Sequence, residues 1–249
     1  MVIIKSQTEI GKIEAAGRIV AQVLQELKSF VKVGTTTADI DLFAEKKIRQ
    51  QNAVPAFKGY RGYPASTCTS VNEQVVHGIP SPSVRLKSGD LISIDLGVIL
   101  DGFYGDGAIT LPVGEVDAET VRLIRITEEA LYLGIKAAVV GGRVSDISAA
   151  IQKHVEANGF SVVRAFVGHG IGHYLHEDPQ IPNFGRPGQG QRLQAGMTLA
   201  IEPMVNAGTF AVNVLDDGWT AVTADGRRSA HFEHTIALTK NGPRILTKL

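Results

Sequence analysis

The chain has 249 residues, 44% hydrophobic and 20% charged, with 25 basic side chains against 25 acidic ones. This suits a globular protein with a sizeable core, and the balanced charge without a basic run excludes an electrostatic footprint for nucleic acid or an anionic membrane. No apolar stretch reaches the roughly 18 residues of a membrane span and the N-terminus turns polar too early for a secretory leader, so a cytoplasmic address is expected; the lone Cys68 leaves no internal disulfide.

Ile10, Ile13, Ile19, Val20, Val23, Leu24 and Leu27 recur at helical spacing and predict an amphipathic helix over residues 9–30. The cap-type residues at 35–39 introduce a second helix that runs to about residue 51. Residues 91–100 and 103–113 are β-rich and flank Asp101-Gly102, a two-residue hairpin signal. A third helix is expected over 120–138 and a fourth over 147–157, the fourth capped by Ser145-Asp146. Strands are expected over 197–201, 211–215, 220–222 and 231–238, separated by turn residues. Helices in pairs followed by meanders argue for an α+β fold with an antiparallel sheet. Asp39-Ile40 and Asp146-Ile147 recur at matching places, which suggests one domain built of two similar halves, near 1–117 and 118–249.

With Asp101-Gly102 as the loop, residue 100 faces 103 and residue 97 faces 106, so Asp95 and Asp106 share a face as diagonal neighbours, Cα atoms about 7 to 8 Å apart. Gly97, opposite Asp106, is expected to leave open space there. Asp95 interrupts an apolar run, where burying an unpaired charge is costly, so it demands a cation or an ion pair. Glu202 ends the apolar run 197–201, and Glu233 precedes Ile236-Ala237-Leu238. Four carboxylates meeting without metal would repel one another; two divalent cations match their charge. His169 lies in Gly168-His169-Gly170-Ile171-Gly172, where missing Cβ atoms permit close approach. A phosphate cradle is the weaker reading of that loop, since residue 173 is not glycine and no βαβ context surrounds it. His77 and His176 sit in loops punctuated by glycine or proline, where functional groups are displayed. His154 is expected to be solvated, and the sequence leaves the roles of His173, His231 and His234 open.

Taken together, His77-Gly78-Ile79-Pro80, Asp95 with Asp106, His169-Gly170-Ile171-Gly172, Glu202-Pro203-Met204 and Glu233 resemble the type I methionine aminopeptidases, and the resemblance runs from the first helix to the last strand. It implies the pita-bread fold, a curved antiparallel sheet covered by two pairs of helices in pseudo-twofold halves. It also implies removal of the N-terminal methionine from nascent proteins and peptides, preferably before a small second residue. Two divalent ions, of manganese, iron, cobalt or zinc, would be held by Asp95, Asp106, His169, Glu202 and Glu233. In this resemblance Asp106 and Glu233 bridge the ions, Asp95 chelates one, and His169 with Glu202 completes the shell of the other. Glu202 also moves a proton to the leaving amine, while His77 and His176 contact the substrate.

The methionine pocket maps by the same resemblance to Phe57, Tyr60, Tyr63, Cys68, Leu175 and Trp219. Phe57 and Leu175 depart from the pattern, in which cysteine and phenylalanine are common, so the side-chain preference is where this chain could differ. Asn72 and Ser229 match positions that hold a monovalent cation in some relatives, with backbone capping as the competing reading. The implied partners are peptide and nascent-chain N-termini, near the ribosome, met by a monomer. Two rivals stand beside this reading. An X-Pro aminopeptidase or dipeptidase of the same fold carries an extra N-terminal domain, for which a helix starting near residue 10 leaves no room. A non-catalytic binding protein should have broken ligands, whereas all five positions here carry coordinating side chains. The type II enzymes insert a helical segment for which Glu202 and Glu233 are too close in sequence.

Overall fold

The four helices form two pairs in the computed structural model of the protein, which describes residues 2–249: α1 (Gln7–Phe30) with α2 (Thr37–Gln50), and α3 (Ala118–Ala137) with α4 (Val144–Ala157). α1 opens on a capping box, the Ser6 hydroxyl accepting from the Glu9 N–H at 3.3 Å while the Glu9 carboxylate accepts from the Ser6 N–H at 2.7 Å. Thr36 and Asp39 repeat this at α2. α4 begins at Val144 rather than at 147, because Asp146 is not the cap itself: its carboxylate reaches back to the Arg143 N–H at 2.7 Å. Asp39 and Asp146 therefore do the same work, each third in its helix and turned back to close the first turn.

Each pair lays its apolar stripe on the sheet. Val20, Val23, Leu24 and Leu27 of α1 and Ile40, Ala44 and Ile48 of α2 pack in one cluster with Ile92, Ile94, Leu96 and Val98. Leu123, Ile126 and Leu131 of α3 and Ile147, Ile151 and Val155 of α4 form a second with Leu199, Ile201, Ile236 and Leu238. In the strand Leu91–Leu100 the even-numbered residues thus face helices, and Ser93, Asp95 and Gly97 face away, as a period of two requires. α1 comes unusually close to this sheet: a Cβ on Gly105 would fall 2.7 Å from the Gly17 nitrogen, and one on Gly17 would fall 2.6 Å from the Leu246 carbonyl oxygen.

Among the described residues the main sheet has nine strands, all antiparallel, on the path Val54–Pro55, Leu91–Leu100, Phe103–Pro112, Glu233–Thr239, Thr198–Ile201, Val167–Gly170, Glu177–Pro182. Cys68–Val71 pairs with the second of these and Gly242–Ile245 with the fourth. The hairpin has the expected register, Leu100 opposite Phe103 and Gly97 opposite Asp106, and its two loop residues both have positive φ, 49° at Asp101 and 79° at Gly102.

Two expectations need correction. The strand expected over 231–238 is broken at Phe232: Ser229–His231 joins a separate small sheet with Met204–Asn206, and Glu233–Thr239 joins the main one. The space over Gly97 is filled, since a Cβ there would lie 2.8 Å from the Phe57 ring and 2.9 Å from the Ala56 Cβ. The reason is local: Val54–Pro55 pairs with the end of Leu91–Leu100, and the Ala56 N–H bonds the Gly97 carbonyl at 2.9 Å, which folds residues 56 and 57 over the glycine.

Candidate active site

Sheet register explains why distant acidic residues meet. Ala108 pairs with Asp95 on one side and Glu233 on the other, so Asp95, Ala108 and Glu233 form one row across three strands. Ile201 pairs with His234, which places the following Glu202 at the level of Glu233. A second row lies two residues along and so points to the same face: Gly97 pairs with Asp106, Thr235 exchanges hydrogen bonds with the Asp106 backbone at 2.8 and 3.0 Å, Thr235 pairs with Ala200, and Ala200 with His169. Ala108 and Ala200 put no large side chain into these rows, which leaves the carboxylates and the imidazole room to converge.

All five predicted ligands border one cavity, together with His77, His176, Phe57, Tyr60, Tyr63, Cys68, Leu175 and Trp219. Donor atoms of Asp106, His169 and Glu233 lie within 4.8 Å of one another, and His169 Nε2 is 3.4 Å from Glu202 Oε1. His169 Nδ1 lies 2.9 Å from the Gly170 carbonyl, which can only accept, so the ring proton sits on Nδ1 and the Nε2 lone pair faces the carboxylates. Burial lowers the His169 pKa to about 4, so the imidazole is neutral at pH 7.

The carboxyls shift the other way. Burial raises Asp106 to about 7, against the Gly107 N–H that bonds it. Burial first, then the charges of Asp106 and Glu202, raise Asp95 well above the usual range; burial and then Asp106 do so for Glu202. Glu233 is raised by burial, then by Asp106, Glu202 and Asp95. Asp95 Oδ1 and Glu233 Oε1 are buried with no hydrogen-bond donor. Four carboxylates, two of them with such orphaned oxygens, beside an imidazole lone pair fit divalent cations of the hard to borderline kind. An imidazole whose other nitrogen donates to a backbone carbonyl is held as a ligand is held.

The remaining groups form the walls. His77, with φ 61°, meets Phe166 edge-on at 5.3 Å and Trp219 at 6.3 Å. Burial lowers the His77 pKa; burial, then the charges of His169, Arg61 and His77, lower His176 to about 3. His176 Nδ1 lies 2.8 Å from the Tyr60 hydroxyl. The Tyr63 hydroxyl is shared between the carbonyls of Thr67 and Gly78, both at 3.0 Å, and its ring meets Trp219 at 5.1 Å. Cys68 pairs across strands with Asp95, and burial pushes its thiol well above the usual range, so it stays a neutral, apolar wall.

Asn72 and Ser229 lie outside this cavity. The Asn72 side chain bonds Asp90 at 2.9 Å and the Leu91 N–H at 3.1 Å, the Ser229 N–H bonds the Asn72 carbonyl at 2.9 Å, and the Ser229 hydroxyl bonds Asn206 at 2.9 Å. His154 is not simply solvated, because Glu129 on α3 lies 2.9 Å from its Nε2. His173 and His234 are engaged elsewhere, with Glu9 at 2.9 Å and Thr247 at 2.8 Å. His231 is buried, its Nε2 without a hydrogen-bond partner and 3.8 Å from Glu202. Arg61, which the motifs did not single out, also borders the cavity. A local signal for it exists: Gly59 and Gly62, both with positive φ, bracket Tyr60 and Arg61 and turn them toward the site.

Residues 11–240 match Metallopeptidase family M24. A methionine aminopeptidase of Clostridium perfringens is 56% identical over 247 residues, 99% of each chain. The crystal structure of a methionine aminopeptidase from Thermotoga maritima has a TM-score of 0.99 at 50% identity and full coverage of both chains, 100% each. A prolidase from Pyrococcus furiosus shares the fold alone, with a TM-score of 0.81 at 24% identity, and this chain covers 66% of its length. The curled antiparallel sheet under four helices is the pita-bread fold. The matched stretch reaches from α1 to the strand that carries Glu233, and the chain belongs to metallopeptidase family M24.

Proposed function

We propose that this protein is a metal-dependent methionine aminopeptidase that removes the first residue of peptides and nascent proteins, preferably before a small second residue. The observation that carries the reading is the convergence of four carboxylates, those of Asp106 and Glu233 buried, and one neutral imidazole from two rows of a single sheet. Asp95, Asp106, His169, Glu202 and Glu233 would hold two divalent ions, with manganese, iron, cobalt and zinc all compatible with the donor set. Bound there, such ions polarise a carbonyl and make water a nucleophile at neutral pH.

The chain's own groups do the rest. Glu202, at the cavity wall 3.4 Å from His169, takes the proton of the attacking water and passes it to the leaving amine. His77 and His176 are neutral at pH 7, so each carries one N–H to offer to the substrate carbonyl or scissile amide. The Tyr60 hydroxyl occupies His176 Nδ1 at 2.8 Å, which leaves Nε2 as the ring nitrogen free to reach substrate. Phe57, Tyr63, Cys68, Leu175 and Trp219 supply an apolar wall that suits an unbranched thioether side chain. Such a wall separates near-isosteres by only about 1 to 3 kcal/mol, so leucine is disfavoured rather than excluded.

An X-Pro activity is the less favoured reading, since the prolidase likeness is confined to the fold. We take Asn72 and Ser229 as ties between strands, and the halves 1–117 and 118–249 as a duplicated unit. No helix among the described residues is long and apolar enough to cross a membrane. The proposed setting is the cytoplasm, where a monomer meets the free N-termini of nascent chains near the ribosome. The test is hydrolysis of Met-Ala, Leu-Ala and Ala-Pro by metal-free protein reconstituted with each ion. Met-Ala cleavage that appears only with metal, and exceeds Leu-Ala by about 10-fold or more, is expected. Cleavage confined to Ala-Pro would move the assignment to the X-Pro enzymes, and no cleavage with any ion would favour a binding role.

A further inference from the structure

Among the described residues one lysine ion pair is buried at both ends: Lys5 and Glu177, with side chains 1% and 2% exposed. Lys5 lies just ahead of α1, where its N–H bonds the Gly196 carbonyl at 2.8 Å and its ammonium also reaches the Ile3 carbonyl at 3.2 Å. Glu177 directly follows His176. While Oε2 takes the Lys5 ammonium, Oε1 accepts the N–H groups of His173 at 2.7 Å and Tyr174 at 3.1 Å, so one carboxylate closes the turn 173–177 on itself. The lysine stem packs against Gly172, where a Cβ would collide with it. On the far side Glu9 of α1 holds the His173 ring at 2.9 Å. The turn so clamped carries Leu175 and His176, and both border the cavity.

A buried ion pair adds little net stability, because desolvating two charges offsets their attraction, and an apolar pair of similar volume does as well. Its specific effect is to set where the turn sits. We propose that Lys5 is a positioning residue for His176: the ammonium anchors Glu177, Glu177 closes the turn, and the turn sets the imidazole in the cavity. The proposal rests on the reading of His176 as a group that contacts substrate.

The test uses the metal-loaded enzyme and the variants K5M, K5R, E177Q and K5M/E177Q, with kcat and KM on a methionyl peptide, metal content, Tm, and amide exchange at His173 and Tyr174. In K5M, kcat falls by about 10- to 100-fold through a misplaced imidazole, metal content holds, and exchange at residues 173 and 174 speeds up. K5R recovers most of kcat. K5M/E177Q, which buries no unpaired charge, recovers Tm but not kcat, and it serves as the test if K5M fails to fold. Wild-type kcat in K5M, or a double variant that recovers kcat along with Tm, overturns the proposal. An inactive wild type would sink the activity instead, while unchanged exchange at 173 and 174 would still sink the tether.

Discussion

At the scale of single residues the site is a balance of opposed titrations. His169 at about 4, His176 at about 3 and His231 at about 3 all lie below the ordinary 6.5, so in each case the unfolded chain takes up a proton that the folded one refuses. Their contribution to stability is present above 6.5 and is lost as the pH falls toward these values. Asp106 has the opposite sign: raised from 3.8 to about 7, its contribution in the metal-free protein is full below 3.8 and lost as the pH rises through about 7. A divalent ion removes that loss by taking the proton's place. At a free ion concentration about 100 times Kd the ion should stabilise the fold by about 2.7 kcal/mol, and calorimetry at a fixed total Mn²⁺ should show a larger rise in Tm at pH 8 than at pH 5. Equal rises would contradict the cluster as the binding site. His77→Ala should lower kcat by about 100-fold or more with metal content unchanged, since its ring borders the cavity but supplies no proposed ligand. Asp95 was legible in the sequence because a charge inside an apolar run is costly. Lys5 and His231 were not, because nothing local marks a lysine near an N-terminus, or a histidine beside an assigned ligand, as buried.

At the scale of elements the hairpin was legible to the residue, because Asp101-Gly102 dictates its turn and the turn dictates the register. The break at Phe232 was not, since it depends on two sheets competing for one strand, and those partners are remote in sequence. Gly97 was misread for a related reason: the hairpin alone shows a gap, and residues 56 and 57 fill it from another element. The contact of α1 with the sheet gives a test away from the cavity. Gly17→Ala improves helix propensity but drives a Cβ to 2.6 Å from the Leu246 carbonyl oxygen, so overpacking should win by about 1 to 3 kcal/mol. Thermal unfolding should show a Tm lower by roughly 2 to 10 °C, with kcat of the folded protein unchanged. An unchanged Tm would mean that α1 can shift at no cost.

At the scale of the molecule the centre lies on a seam. Asp95 and Asp106 come from the hairpin backed by α1 and α2, His169 and Glu233 from strands that follow α3 and α4, and Glu202 from the residue just after another such strand. The class of fold could be read from paired helices and meanders, but not the pairing of Glu233 with Ala108 that joins the two sets, because a strand's sequence does not name a partner more than a hundred residues away. The most direct test of the account is a titration of metal-free protein with Mn²⁺ that follows ion binding and Met-Ala hydrolysis in the same samples, for the wild type and for Asp106→Asn. Hydrolysis is expected to rise with binding in the wild type, and both are expected to be lost in the variant. Full hydrolysis before any ion is added, or a variant that binds and cleaves as the wild type does, would contradict it.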